Sequence, residues 1–158
     1  MIFVTTGTQL PFVRLIDAVD ALAADLDEEV IAQVGPDTTP RANIETHATL
    51  PPARFAELFR SARLVISHAG IGSILSAKRY GRPLIVVPRR LKFGEHRNDH
   101  QLATAAEVEA IPGIHVVWDP ADLRRVLSAG TLEAPQDSPS PTAHTLIERV
   151  RDFVDNGC

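Results

Sequence analysis

The chain has 158 residues, 44% hydrophobic and 23% charged, and its 16 basic against 20 acidic residues give a formal charge of −4. That length suits a single domain, 1–158, able to bury about two-thirds of its unfolded surface. The acidic balance argues against a surface that coats nucleic acid. The one cysteine, Cys158, rules out an internal disulfide or a thiolate zinc site.

The first residues, "MIFVTTGTQL", carry no basic n-region and no long apolar stretch, so no secretory signal is expected. No apolar run reaches the roughly 20 residues that span a bilayer. A reducing cytoplasm is the expected setting.

In chain order, residues 1–5 read as a short β-rich run ending before Gly7. Phe12, Leu15, Ile16, Val19, Leu22, Ala23 and Leu26 then recur at helical spacing. "EEVIAQVG" (28–35) reads as a strand closed by Gly35–Pro36, and "ANIETHATL" (42–50) as a second. Pro51–Pro52 opens a helix over 53–62. "RLVIS" (63–67) is a buried strand, 71–81 a helix, and "RPLIVVP" (82–88) a strand whose continuous aliphatic run suits a parallel sheet covered on both faces. A loop over 89–97 leads into a helix over 98–110, a strand over 114–118 and the cap-like "DPADLRRVLSAG". Residues 133–142 read as a linker and 143–156 as a closing helix that docks back on the body.

Alternating strands and helices predict an α/β fold, a Rossmann-like doubly wound parallel sheet, which binds ligands beyond the carboxyl ends of its strands. Two such ends carry glycine: "TTGTQ" (5–9) and "SHAGIGS" (67–73). Gly70 and Gly72 would let backbone approach an anion at a helix N-terminus, with Ser73 adding a hydroxyl and His68 a ring N–H. Thr6, Gly7 and Thr8 would form a second cradle opposite. The competing reading is small residues that merely allow tight strand-to-helix packing.

The stretch "GEHRNDHQ" (94–101) faces the same edge. His96 and His100 stand at a spacing that can hold a metal on a helix, but no third ligand is evident. The other readings are a polar helix start capped by Asn98 and a site for sugar hydroxyls, which the density of hydroxyl-bonding side chains favours. No nucleophile elbow is present. Arg89, Arg90 and Lys92 form a basic cluster, read as a solvated loop or a lure for phosphate or a sugar carboxylate.

With these segments in hand, "MIFVTTGTQLPF", "ISHAGIGSILSAKRYGRPLIVVPRR" and "GEHRNDHQLATA", the chain resembles glycosyltransferase family 28 of the C-terminal-domain type. More narrowly it is similar to the small catalytic subunits of two-part bacterial exopolysaccharide glycosyltransferases, and to the small subunit of the eukaryotic dolichol-chitobiose N-acetylglucosaminyltransferase. The resemblance implies the donor-binding C-terminal half of a GT-B enzyme. It implies a UDP-sugar as substrate, with neither cofactor nor metal, and a membrane-anchored partner subunit that brings a polyprenyl-linked acceptor. The general base is expected from that partner, so no catalytic residue is assigned here. The chain would then sit at the inner face of the membrane, and a homodimer is conceivable when it is alone.

Carried over by position, Gly7, Thr8 and Gln9 match the first glycine loop near the diphosphate. His68, Gly70, Gly72 and Ser73 match an H-x-G-x-x-S/T segment that holds it, while His100 and Gln101 match residues that grip the transferred sugar. Many relatives carry a glutamate for the ribose where this chain has Ser76. Either Glu95 takes over the ribose, or donor binding stays weak until the partner closes the cleft; the second is the expectation. Glucuronate is the first guess for the sugar, with Arg89 or Arg90 meeting its carboxylate. The alternatives are a non-catalytic nucleotide-sugar-binding or regulatory subunit and a stand-alone UDP-sugar enzyme.

Overall fold

The computed structural model describes residues 1–136 and, beyond them, only Thr145, Glu148 and Asp152, each helical and exposed. The linker reading is thus described only to Gln136, and the docking of the closing helix lies outside the described residues.

Six strands, β1 (Ile2–Thr5), β2 (Val30–Gln33), β3 (Glu45–His47), β4 (Leu64–His68), β5 (Leu84–Val87) and β6 (Ile114–Val116), form one sheet in the order β3-β2-β1-β4-β5-β6. Every pairing is parallel. Within residues 1–136, five helices flank it: α1 (Val13–Ala23), α2 (Pro52–Ser61), α3 (Ile71–Tyr80), α4 (His100–Val108) and α5 (Leu123–Ser128). None of the helices among the described residues is long and apolar enough to cross a membrane.

The two-residue period of a strand sorts β1 between two cores. Ile2 and Val4 pack with Leu15, Ile16 and Val19 of α1 and Leu123 of α5. Phe3 points the other way, into a cluster with Leu58 and Phe59 of α2, Ile74 and Ala77 of α3, and Ala105 and Val108 of α4. There its ring meets Phe55 edge-on at 5.2 Å between centroids, a geometry that aromatic quadrupoles favour. The central strands β1, β2, β4 and β5 are almost wholly buried, as their aliphatic runs predict.

Several elements are shorter than the sequence predicts: β2 occupies Val30–Gln33 of 28–35, β5 Leu84–Val87 of 82–88 and β6 Ile114–Val116 of 114–118. The strand expected over 42–50 pairs only at Glu45–His47, on the sheet edge, because the preceding backbone is held elsewhere: Asn43 N–H donates to Asp20 Oδ1 at 2.8 Å. The helix expected from residue 98 begins at His100. Asn98 does act at its start, Oδ1 accepting from His100 N–H at 3.1 Å, while Asp99 Oδ1 accepts from Leu91 N–H at 2.9 Å and ties the preceding loop down.

The topology fixes where a ligand can go. β1 and β4 are neighbours, yet β1 feeds α1 on one face and β4 feeds α3 on the other. The chain parts at their carboxyl ends. Such a switch point opens a crevice there.

Candidate functional site

Just beyond β1 and β4 lies an open crevice of about 260 Å³, lined by Thr6, Gly7, Thr8, Gln9, Leu10, His68, Arg89, His96 and Gln101. The β1–α1 loop forms one wall. It turns at Gly7, whose φ of 76° favours glycine, and it is held at its root where Thr6 N–H donates to Gln33 O at 3.0 Å.

His68 closes β4 and reaches back under that loop. Its Nδ1 lies 3.4 Å from Thr5 O, and a carbonyl can only accept, so Nδ1 carries the proton. Burial pushes its pKa down to about 4, the Arg89 charge adds to this, and the Thr5 hydrogen bond opposes it. At neutral pH the ring is therefore uncharged, with its lone pair on Nε2. The imidazole sits between two glycines: a Cβ at residue 70 would fall 2.3 Å from Nε2, and one at residue 7 would fall 3.3 Å from Cε1. Gly70 thus makes room for the ring. Gly72 has open space around it.

Gly70 caps α3 without a side-chain hydrogen bond, and α3 begins beside the histidine. The N–H groups of Ile71, Gly72 and Ser73 have no preceding turn to donate to. Together with the helix dipole they favour an anion. Ser73 itself is buried and Ser76 half-buried one turn further in, and neither lines the crevice.

On the far side, Gln101 Oε1 accepts from Arg89 N–H at 3.0 Å. That bond orients the amide and leaves its NH₂ as donor. Residues 1–156 match the glycosyltransferase family 28 C-terminal domain. The chain belongs to that family. No curated protein sequence matches it. Its fold is similar to that of ALG13 in solution (TM-score 0.64, 20% identity, covering 95% of this chain and 96% of that one). It is also similar to the glycosyltransferase of kitacinnamycin (0.62, 18% identity, 98% of this chain and 39% of that one). A third similar fold is MurG of Acinetobacter baumannii (0.59, 17% identity, 95% and 49%). The chain spans about two-fifths of the first-mentioned larger enzyme and half of the second.

Within this family 28 domain, the expected residues divide. Gly7, Thr8, Gln9, His68 and Gln101 meet in the crevice, and Gly70 shapes it. His100 does not line it, whereas His96, four residues earlier, does. The His96–His100 spacing therefore does not aim both rings at one point in the crevice.

Glu95 is placed elsewhere. Its carboxylate takes both arms of Arg14, at 2.6 and 2.9 Å, and also accepts from Arg90 N–H at 2.9 Å. It lines a neighbouring hollow with Pro11, Val13 and Phe93, and a role on the ribose would require breaking that fork.

In sequence, Arg89 reads as part of a solvated loop or as a lure for phosphate or a sugar carboxylate. Its residue is 2% exposed. The guanidinium donates to the carbonyl oxygens of Thr6, Leu10, Pro11 and Glu95, which leaves no fork for a sugar carboxylate. Arg90 turns to Trp118 O at 3.1 Å.

Proposed function

We propose that the chain is the donor-binding half of a glycosyltransferase that moves a sugar from a UDP-sugar to a polyprenyl-linked saccharide, working with a membrane-anchored acceptor-binding subunit. One observation carries this reading. The switch-point crevice of a family 28 domain is lined by a glycine loop and a histidine, and the ring of that histidine lies against Gly70, the cap residue of α3.

In this reading the diphosphate rests between the Thr6–Leu10 loop and the first turn of α3, and the amide of Gln101 donates to sugar hydroxyls. The acceptor hydroxyl attacks the anomeric carbon with inversion. Its O–C bond forms as the bond from that carbon to the diphosphate oxygen breaks, and the hydroxyl proton passes to a base on the partner. Negative charge gathering on the leaving UDP is met by N–H groups already in place. An anion beside His68 also favours its protonated form, so that the ring then donates from Nε2 as well.

Partner dependence draws support from the surface. Val13, Leu91 and Phe93 are the large hydrophobic residues exposed among the described residues; Val13 and Phe93 line the same hollow, and Leu91 shares the 3₁₀ turn Leu91–Phe93. They stand beside the crevice, where an acceptor-binding half would close over it. The fold similarity to ALG13 extends over 95% of this chain and 96% of that one, which supports reading the two domains together.

For the sugar, Arg89 gives glucuronate no advantage over neutral hexoses, because its fork is occupied. The test is transfer from a panel of UDP-sugars, UDP-glucuronate included, to a polyprenyl-linked acceptor in membranes carrying the co-expressed partner. Transfer that needs both chains and is lost in His68→Ala supports the proposal. Transfer by this chain alone would favour a stand-alone enzyme, and full activity of His68→Ala in the complex would favour a non-catalytic subunit.

A further inference from the structure

We infer that Arg89 is the positioning residue of the donor site, holding the 6–11 loop in the shape that receives the diphosphate. The inference rests on the donor-site reading above and adds a residue to it.

The β1–α1 loop has little of its own to fix it. Between Thr6, anchored to Gln33, and Phe12, buried in the core, Thr8 and Gln9 are exposed. Its carbonyl groups would be costly to turn inward without donors. Arg89 supplies them. Nη2 donates to Thr6 O at 2.6 Å and Leu10 O at 2.8 Å, Nη1 donates to Pro11 O, and Nη1 also reaches Glu95 O at 3.3 Å. One planar head thus closes the loop at both ends, Thr6 and Leu10–Pro11, and ties it to the β5–α4 loop. The Arg89 backbone N–H meanwhile donates to Gln101 Oε1. Both walls of the crevice are indexed to one residue.

The same arrangement sets the charge of the site. Carbonyl oxygens gathered onto a fixed cation no longer present their negative ends to an incoming anion. The Phe12 ring lies 4.9 Å from the guanidinium carbon and supports it from the core side. Lysine would keep the charge but lacks the flat, multi-donor head, so it could hold one or two of the four oxygens at a time.

The test uses the full chain with Arg89→Lys, read two ways. Amide hydrogen exchange over residues 6–12 reports the staple without any ligand; UDP affinity by titration calorimetry reports the site. The expected result is exchange accelerated at least tenfold in that loop, unchanged at β5, with UDP affinity at least tenfold weaker. Unchanged loop exchange overturns the inference whether or not UDP binds. Accelerated exchange with wild-type UDP affinity overturns it too, since the loop's shape would then not set the site. If the wild-type chain, alone and with its partner, binds no UDP, the donor-site reading fails and the exchange result alone decides the staple. Should Arg89→Lys not fold, Arg89→Ala with millimolar guanidinium replaces it: recovery of loop protection on adding guanidinium supports the inference, and a folded Arg89→Ala whose loop protection guanidinium does not change overturns it.

Discussion

The imidazole of His68 lies against Gly70, so closely that a methyl group at residue 70 would stand 2.3 Å from Nε2. Two residues of one motif are therefore a single mechanical unit: the glycine exists in this geometry as the space the ring occupies. Gly70→Ala is expected to push the ring off Thr5 O while α3 still forms, since Gly70 has an ordinary extended backbone. UDP affinity should fall at least tenfold, with a stability loss of about 1–3 kcal/mol. Calorimetric titration beside a thermal melt separates the two.

His68 also makes stability depend on pH. Its folded pKa of about 4 lies below the ordinary histidine value. Between these two values the unfolded chain binds a proton that the folded chain refuses. Stability is thus full above the ordinary value, falls as pH drops toward about 4, and levels below that. The span is worth up to roughly 3 kcal/mol. Denaturant unfolding of the wild type against His68→Gln across that range should show a slope present in the first and reduced in the second.

The Arg14–Glu95 pair should matter more than the exposed Arg124–Asp25 pair. Glu95 is 8% exposed and Arg14 25%, whereas the Arg124–Asp25 pair, 99 positions apart in sequence, is more than half exposed on both sides. Arg14→Met leaves the Glu95 carboxylate with the Arg90 N–H as its remaining hydrogen-bond donor, at a cost of about 1–3 kcal/mol. Arg124→Met should cost under about 1 kcal/mol. Equal melting temperatures for the two variants would contradict this ranking.

Gly113 offers a test of the chain's later part. Its φ is 85°, and the backbone of Ala134 and Pro135 passes so close that a Cβ would fall 2.0 Å from Pro135 N. Gly81 also has a positive φ, 59°, but open space around it. Gly81→Ala should cost about 1–2 kcal/mol from backbone strain. Gly113→Ala should cost clearly more and release residues 134–135, visible as faster amide exchange at Ala134.

Much of this fold is written in local pattern. The aliphatic runs of β4 and β5, the 3.6 period of α1 and the glycines after β1 and β4 place the sheet, its order of elements and the position of the crevice. The signals are local because burial on both faces leaves such strands few polar choices. What the pattern could not carry is pairing at a distance. Arg89 reads in sequence as one member of a basic run, and basic runs usually face solvent; its carbonyl partners at Thr6, Leu10 and Pro11 lie some 80 positions earlier. Glu95 reads as a free carboxylate because Arg14, which claims it, is 81 positions away. His96 and His100 look equivalent by spacing, yet α4 starts only at His100, so His96 sits on the preceding bend and alone lines the crevice. The strand pattern over 42–50 exceeds the observed Glu45–His47 for a similar reason, the neighbouring Asn43 being held by Asp20 from α1.

The proposed seat for the diphosphate of a nucleotide-sugar is the crevice lined by the Thr6–Leu10 loop and His68. Saturation-transfer NMR of the chain, alone and with its partner, against UDP, UDP-glucuronate, UDP-glucose, UDP-galactose and UDP-N-acetylglucosamine tests it most directly, repeated with His68→Ala. Transfer to the UDP protons is expected to be weak in the isolated chain, stronger in the complex, and lost in the variant. Silence in both forms, or transfer that His68→Ala leaves intact, would contradict it.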